Sequence, residues 1–198
     1  FYALQSVRLA IQPQDKTGIP RMYVADQPRF GYRGLMVDVS RYFVEKEELM
    51  KIIDCMSVLK LNKLHLHLTD DNGWRLEIKK YPRLTEIGAW AGPDTHRLGG
   101  YYTQEDIKEL IAYGQLRNVE IIPEIEFPAH MLSAVAAYPW LSCTGLQHEV
   151  PVQHFISRDL LCVGKESSYQ FLSDVLDETV SLFPSHYINI GGDEAVYD

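Results

Sequence analysis

Short apolar runs alternate along this chain with stretches in which apolar residues recur every three or four positions, an ordering of strand and helix that builds a parallel sheet. The runs predict strands at residues 34–39, 63–68, 119–125 and 186–190, the last of them buried. Behind the first, Leu49, Ile52, Ile53, Met56 and Leu59 share a helical face, after an opening turn with Glu45, Glu47 and Glu48 where the helix dipole favours acids. Behind the second, Thr103-Gln104-Glu105-Asp106 has the form of a helix cap, continued by Ile107, Leu110, Ile111 and Gly114. Behind the third, Leu172, Val175, Leu176, Thr179 and Phe183 place a helix over residues 168–183, which Pro184 stops.

Polar residues gather at one end of these runs: Asp38 in the first, Thr69-Asp70-Asp71 behind the second, Glu124 and Glu126 around the third, Asp193-Glu194 behind the fourth. In a (β/α)8 barrel, functional groups occupy the carboxyl ends of the strands. A doubly wound open sheet uses the same ends, but no glycine-rich phosphate loop follows any of these runs. The pattern therefore favours an α/β fold, a partial (β/α)8 TIM barrel of about the first four β/α units. A complete barrel needs roughly 250 residues. The 198 residues are accordingly read as truncated, with 1–30 leading in from a preceding region and 31–198 forming the first half of a barrel domain. Such a half alone is expected to be inactive and poorly folded, because strand edges and apolar helix faces stay open.

The formal charge of −8 and pI near 5.3 exclude wholesale binding to nucleic acid or to an anionic membrane, and no apolar run is long enough to span a bilayer. The three cysteines show no C-x-x-C spacing. Cys55 reads as core, whereas Cys143 and Cys162 flank a loop and are free to pair in an oxidising compartment. The chemistry with most promise is Gly191-Gly192-Asp193-Glu194. Two crowded carboxyls cannot both ionise freely, so one can keep a proton for a leaving oxygen. The same pair also suits the first turn of a helix. A different enzyme class is open as well: His65 and His67 share one face of a strand and can hold zinc in a metal-dependent barrel hydrolase.

Several segments, in order, resemble family 20 glycoside hydrolases, the β-N-acetylhexosaminidases. They are Tyr2-Ala3-Leu4-Gln5-Ser6, Arg33-Gly34-Leu35-Met36-Val37-Asp38-Val39-Ser40-Arg41, His65-Leu66-His67-Leu68-Thr69-Asp70-Asp71-Asn72-Gly73-Trp74-Arg75 and Gly99-Gly100-Tyr101-Tyr102-Thr103-Gln104. Pro123-Glu124-Ile125-Glu126-Phe127-Pro128-Ala129-His130 and Ile190-Gly191-Gly192-Asp193-Glu194 complete the likeness. The family usually has Trp where Leu66 stands, Asp at Glu126 and Gly at Ala129.

The resemblance implies an enzyme that removes terminal N-acetylglucosamine or N-acetylgalactosamine from an oligosaccharide or glycoconjugate with retention. The nucleophile is the substrate's own 2-acetamido oxygen, through an oxazolinium intermediate, with no cofactor and no metal. It assigns Glu194 as acid and then base, and Asp193 as acceptor of the acetamido N–H. Arg33 would grip the sugar's 3- and 4-hydroxyls, and Asp70 and Asp71 would shape the pocket, with no preference between them. His130 and Glu126 would support Glu194 through a polar network, while Trp74 reads as packing. Family members are commonly exported, to the periplasm, the exterior or the lysosome. A non-catalytic sugar-binding module is the third reading, against which the intact acid pair argues.

Overall fold

The structure is a computed structural model that describes residues 1–11, 21–154 and 156–195; part of the lead-in, 12–20, lies outside them. Helix α1 (Tyr2–Ala10) comes first. Strand β1 (Gly34–Asp38), helix α2 (Lys46–Val58) and strand β2 (Lys63–His67) then make a βαβ unit. Two small hairpins, β3 (Thr69–Asp70) with β4 (Gly73–Trp74) and β5 (Trp90–Ala91) with β6 (Leu98–Gly99), flank the short helix α3 (Arg83–Glu86). Helix α4 (Gln104–Gln115) and strand β7 (Glu120–Glu124) follow, then α5 (Leu132–Ala137) and α6 (Glu166–Leu182).

The main sheet is parallel in the order β1-β2-β7, with Gly34 opposite Lys63 and Lys63 opposite Glu120. Within this sheet each strand lies beside the sheet strand that precedes it in the chain, an order that a barrel wall would continue. Residues 186–190 correct one expectation. Instead of a buried strand they make a single parallel bridge, in which Asn189 N–H donates to Pro123 O (2.9 Å) and Ile125 N–H to Asn189 O (3.0 Å). Tyr187 and Ile190 are 62% and 47% exposed. Among the described residues the segment is paired on one side only, so nothing covers its outer side chains.

Side chains alternate along β2. Leu64, Leu66 and Leu68 enter one core with Leu49, Ile53, Ile107, Leu110, Phe171 and Val175, which leaves His65 and His67 to the opposite face. Helix α2 buries Leu49, Ile53 and Met56, but two members of its expected apolar set do not belong there. Cys55 is exposed, because a residue two places from Ile53 points to nearly the opposite side of a helix. Leu59 lies past the last turn, 68% exposed, and Lys60 behind it turns the chain with φ of 60°. Helix α4 starts as its sequence predicts. Thr103 Oγ1 accepts from Asp106 N–H (3.1 Å) while Asp106 Oδ2 accepts from Thr103 N–H (3.0 Å).

Two covalent or polar ties hold the loops over this frame. The Arg75 guanidinium is buried and donates to the carbonyls of Val39, Ser40, Asn72, Ala89 and Gly100, joining the end of β1 to both hairpins. Trp74 is fully buried against Phe171, with ring centroids 6.2 Å apart. A disulfide joins Cys143 to Cys162, Cα atoms 4.7 Å apart, and closes the loop that precedes α6. No helix among the described residues is long and apolar enough to cross a membrane.

Candidate active site

The parallel register alone assembles the base of a site. Asp38, His67 and Glu124 lie opposite one another at the carboxyl ends of β1, β2 and β7, and in-register neighbours face the same side. An imidazole thus stands between two carboxylates. His67 Nδ1 lies 3.0 Å from Glu124 Oε2, and His67 Nε2 lies 2.9 Å from Asp70 Oδ2. Burial opposes charge on the ring, but the bonds to Asp70 and Glu124 outweigh it and hold its pKa up to about 10. Burial would raise Asp70, yet His130, His67 and Arg41 keep it well below the usual carboxylate range. Glu124 is likewise held low against burial by His65 and His67, and His65 Nε2 reaches the same Glu124 oxygen at 2.6 Å. Burial and this neighbouring carboxylate push Glu126 up to about 7. Of two adjacent acids, the histidines select which one ionises.

Above this layer His130 joins the acids of two loops. Its Nδ1 lies 3.3 Å from Asp70 Oδ1 and 3.8 Å from Asp71 Oδ2, and its Nε2 lies 3.2 Å from Glu194 Oε2 and 3.8 Å from Asp193 Oδ1. These are charge contacts, because neither buried ring nitrogen is aligned for a hydrogen bond. Asp70 is the chief cause that raises His130 to about 9. His130 and Glu194 both sit at positive φ, 56° and 50°, where side chains other than glycine are strained.

The turn before the acid pair rests on Glu126. Gly192 N–H donates to Glu126 Oε2 at 3.3 Å, and Gly191 adopts φ of 59°. A Cβ on Gly191 would stand 1.6 Å from that oxygen. In the protein that carries this chain, Gly191→Ala is therefore expected to displace the turn and lower any turnover that depends on the acid pair by about 100-fold, the scale of an ångström of misplacement. Loss of turnover with a melting temperature near that of the parent would check this, and unchanged turnover would refute it.

The site residues named from sequence divide into two groups. Asp70, Asp71, Glu126, His130, Asp193 and Glu194 come together. Between the two aspartates the structure decides: Asp70 faces Arg41, His67 and His130, whereas Asp71 accepts Leu132 N–H (3.0 Å) and Ser157 N–H (2.8 Å) and so braces loops. Asn72 adds to that bracing, its Nδ2 donating to Pro151 O and Gln153 O, each at 2.9 Å. Arg33 does not join the cluster. It precedes β1, at the opposite end of the sheet, where Nε donates to Lys60 O (2.8 Å) and Nη1 to Phe30 O (2.7 Å). The cation at the mouth is Arg41, just beyond β1, whose Nη2 lies 2.8 Å from Asp70 Oδ2 and Nη1 2.8 Å from Asp38 Oδ2. The rule that functional groups follow strands would have selected Arg41 over Arg33.

The zinc reading loses its ligand pair. Groups of three acids or histidines close enough for a cation include His67, but none among the described residues includes His65. Both histidines instead converge on one oxygen of Glu124, and the second nitrogen of His67 is bonded to Asp70.

The charged layer predicts a pH window for stability. His67 and His130 are raised above the ordinary 6.5, so their contribution is complete below that pH and is lost as pH climbs through about 9 to 10. Glu126, raised to about 7, contributes fully below 4.5 and loses its part as pH passes 7. Asp70 and Glu124, both depressed, contribute fully above their ordinary 3.8 and 4.5 and lose that contribution progressively as pH falls below those values. The melting temperature is expected to fall between pH 7 and 10, and the fall to flatten in Asp70→Asn; an equal fall in both proteins would contradict it.

Comparison with known proteins places this geometry. Residues 30–198 match the model of the glycosyl hydrolase family 20 catalytic domain. A beta-hexosaminidase of Porphyromonas gingivalis is 45% identical over 181 residues, which are 91% of this chain and 23% of that protein. The β-N-acetylhexosaminidase structure from Bacteroides fragilis is 41% identical with a TM-score of 0.86, covering 97% of this chain and 38% of the other. The exo-β-N-acetylglucosaminidase of Vibrio harveyi, solved in complex with N-acetylglucosamine, is 41% identical with a TM-score of 0.77 over 86% of this chain and 28% of its own. The chain thus spans between 23% and 38% of the length of these proteins. The mixed α/β architecture is similar to that of family 20 TIM-barrel enzymes.

Proposed function

Because the chain belongs to glycosyl hydrolase family 20, we propose that it supplies the acid half of a retaining exo-glycosidase acting on terminal N-acetylglucosamine or N-acetylgalactosamine. The observation that carries this reading is the single imidazole of His130, 3.2 Å from Glu194 and 3.8 Å from Asp193. In the first step Glu194 gives its proton to the glycosidic oxygen, the C1–O bond breaks, and the acetamido oxygen bonds to C1. Asp193 accepts the acetamido N–H and faces the positive oxazolinium, which a fixed anion stabilises. In the second step Glu194, now the carboxylate, takes a proton from the water that attacks C1 and opens the ring.

Arg41 replaces Arg33 as the group that grips sugar hydroxyls. Its guanidinium stands at the mouth on the opposite side of Asp70 from His130, and a rigid fork of donors suits a pair of hydroxyls. The progression β1-β2-β7 and the bridge at Asn189 support residues 31–198 as the first half of a barrel, with the other half completing the pocket. The disulfide between Cys143 and Cys162 supports an exported location, where such bonds persist.

Hydrolysis of p-nitrophenyl N-acetyl-β-glucosaminide by the protein that carries this chain, with the first-formed anomer followed by proton NMR, tests the reading. The β anomer appearing first supports retention, and the α anomer first overturns the mechanism. Binding of N-acetylglucosamine without any turnover would favour the sugar-binding module instead.

A further inference from the structure

Below the acid pair lies a line of contacts that the mechanism leaves without a task. It runs from His65 Nε2 to Glu124 Oε2 (2.6 Å), on to His67 Nδ1 (3.0 Å), from His67 Nε2 to Asp70 Oδ2 (2.9 Å), from Asp70 Oδ1 to His130 Nδ1 (3.3 Å), and from His130 Nε2 to Glu194 Oε2 (3.2 Å). Acid and base alternate at every link. His67 and Glu124 are buried on β2 and β7, while Glu194 at the outer end is half exposed on a glycine turn.

Resting on the reading above, we propose that His67 and Glu124 are positioning residues for the catalytic acid, holding Asp70 so that His130 meets Glu194. Three cations compete for Asp70: Arg41 Nη2 at 2.8 Å, His67 Nε2 at 2.9 Å, and His130 at 3.3 Å. Arg41 and His67 both meet Oδ2, while Oδ1 accepts Asp71 N–H (2.6 Å) and keeps its other side for His130. Removing His67 frees the Asp70 carboxylate to turn onto the Arg41 fork, since a bidentate guanidinium pair is the stronger alternative. His130 then loses its anchor and Glu194 its neighbour. Glu124 fixes the His67 ring by accepting from the nitrogen that Asp70 does not use, the arrangement by which an outer partner orients a working imidazole. The groups facing His67 are Asp38 and Arg41 from the end of β1, Asp70 from β3, Glu124 and Glu126 from β7 and its continuation, and His65 from its own strand.

Two readouts separate positioning from a nearby charge. In His67→Gln, the NMR titration of the His130 ring is expected to move down from about 9 toward the ordinary 6.5, because Asp70 has turned away. Mere loss of a neighbouring positive charge would move it up. In turnover of the p-nitrophenyl substrate, His67→Gln and the isosteric Glu124→Gln are each expected to lose roughly 10- to 100-fold in kcat with KM nearly unchanged. The double variant should be no worse than the poorer single, since both act through one chain of contacts. A His130 titration that stays or rises, or additive kcat losses, overturns the proposal. If His67→Gln does not fold, Glu124→Gln carries both measurements. A parent protein with no hydrolase activity would sink the proposed function and leave the His130 titration to judge this inference.

Discussion

Glu194→Gln in the protein that carries this chain is expected to lower kcat by about 10²- to 10⁴-fold on a disaccharide, the range for a lost general acid. The loss should be far smaller on a p-nitrophenyl glycoside. A sugar alkoxide needs a proton as it departs, and nitrophenolate does not. The geometry permits this separation of chemistry from binding, because the Glu194 side chain contacts His130 at 3.2 Å and, among the described residues, makes no hydrogen bond that holds the turn together. The turn is held instead by Gly192 N–H on Glu126. Kinetics on both substrates, with inhibitor affinity measured in parallel, check the expectation. Equal losses on the two substrates, together with lost inhibitor binding, would make Glu194 a structural residue.

Asp193→Asn should cost a similar factor, about 10²- to 10³-fold in turnover, by removing a fixed charge from the place where positive charge develops. The signature is selective. Affinity for a thiazoline that mimics the cyclised intermediate should fall more than affinity for N-acetylglucosamine, because the carboxylate matters most where the ligand is cationic. Asp193 lies 3.8 Å from His130 with its side chain 71% exposed, so among the described residues its substitution disturbs little packing. Isothermal titration of the two ligands decides, and matching losses would remove the electrostatic role.

Both acids were legible from the tetrapeptide Gly191-Gly192-Asp193-Glu194, and the helix α4 cap from Thr103 and Asp106, because glycine turns and capping boxes are local chemistry. Strands β1, β2 and β7 were also legible in their apolar runs. Arg33 and Arg41 illustrate where local reading stops. Eight positions apart in one motif, they stand at opposite ends of the same strand, and only the direction of β1 in the sheet puts one at the mouth and the other at the base. Cys55 failed for a smaller reason: its helical phase differs from that of Ile53 by two residues, which reverses the face.

The sequence by itself determined the element types, the end of the sheet at which acids collect and the family to which the chain belongs, since periodicity, capping and motif order are carried by neighbours along the chain. Tertiary structure alone decided the pairing of Asp38, His67 and Glu124, the division of labour between Asp70 and Asp71, and which of two glutamates keeps its proton. Those outcomes depend on register and burial, which bring residues dozens of positions apart within 3 to 4 Å of one another in a medium where charge must find a partner.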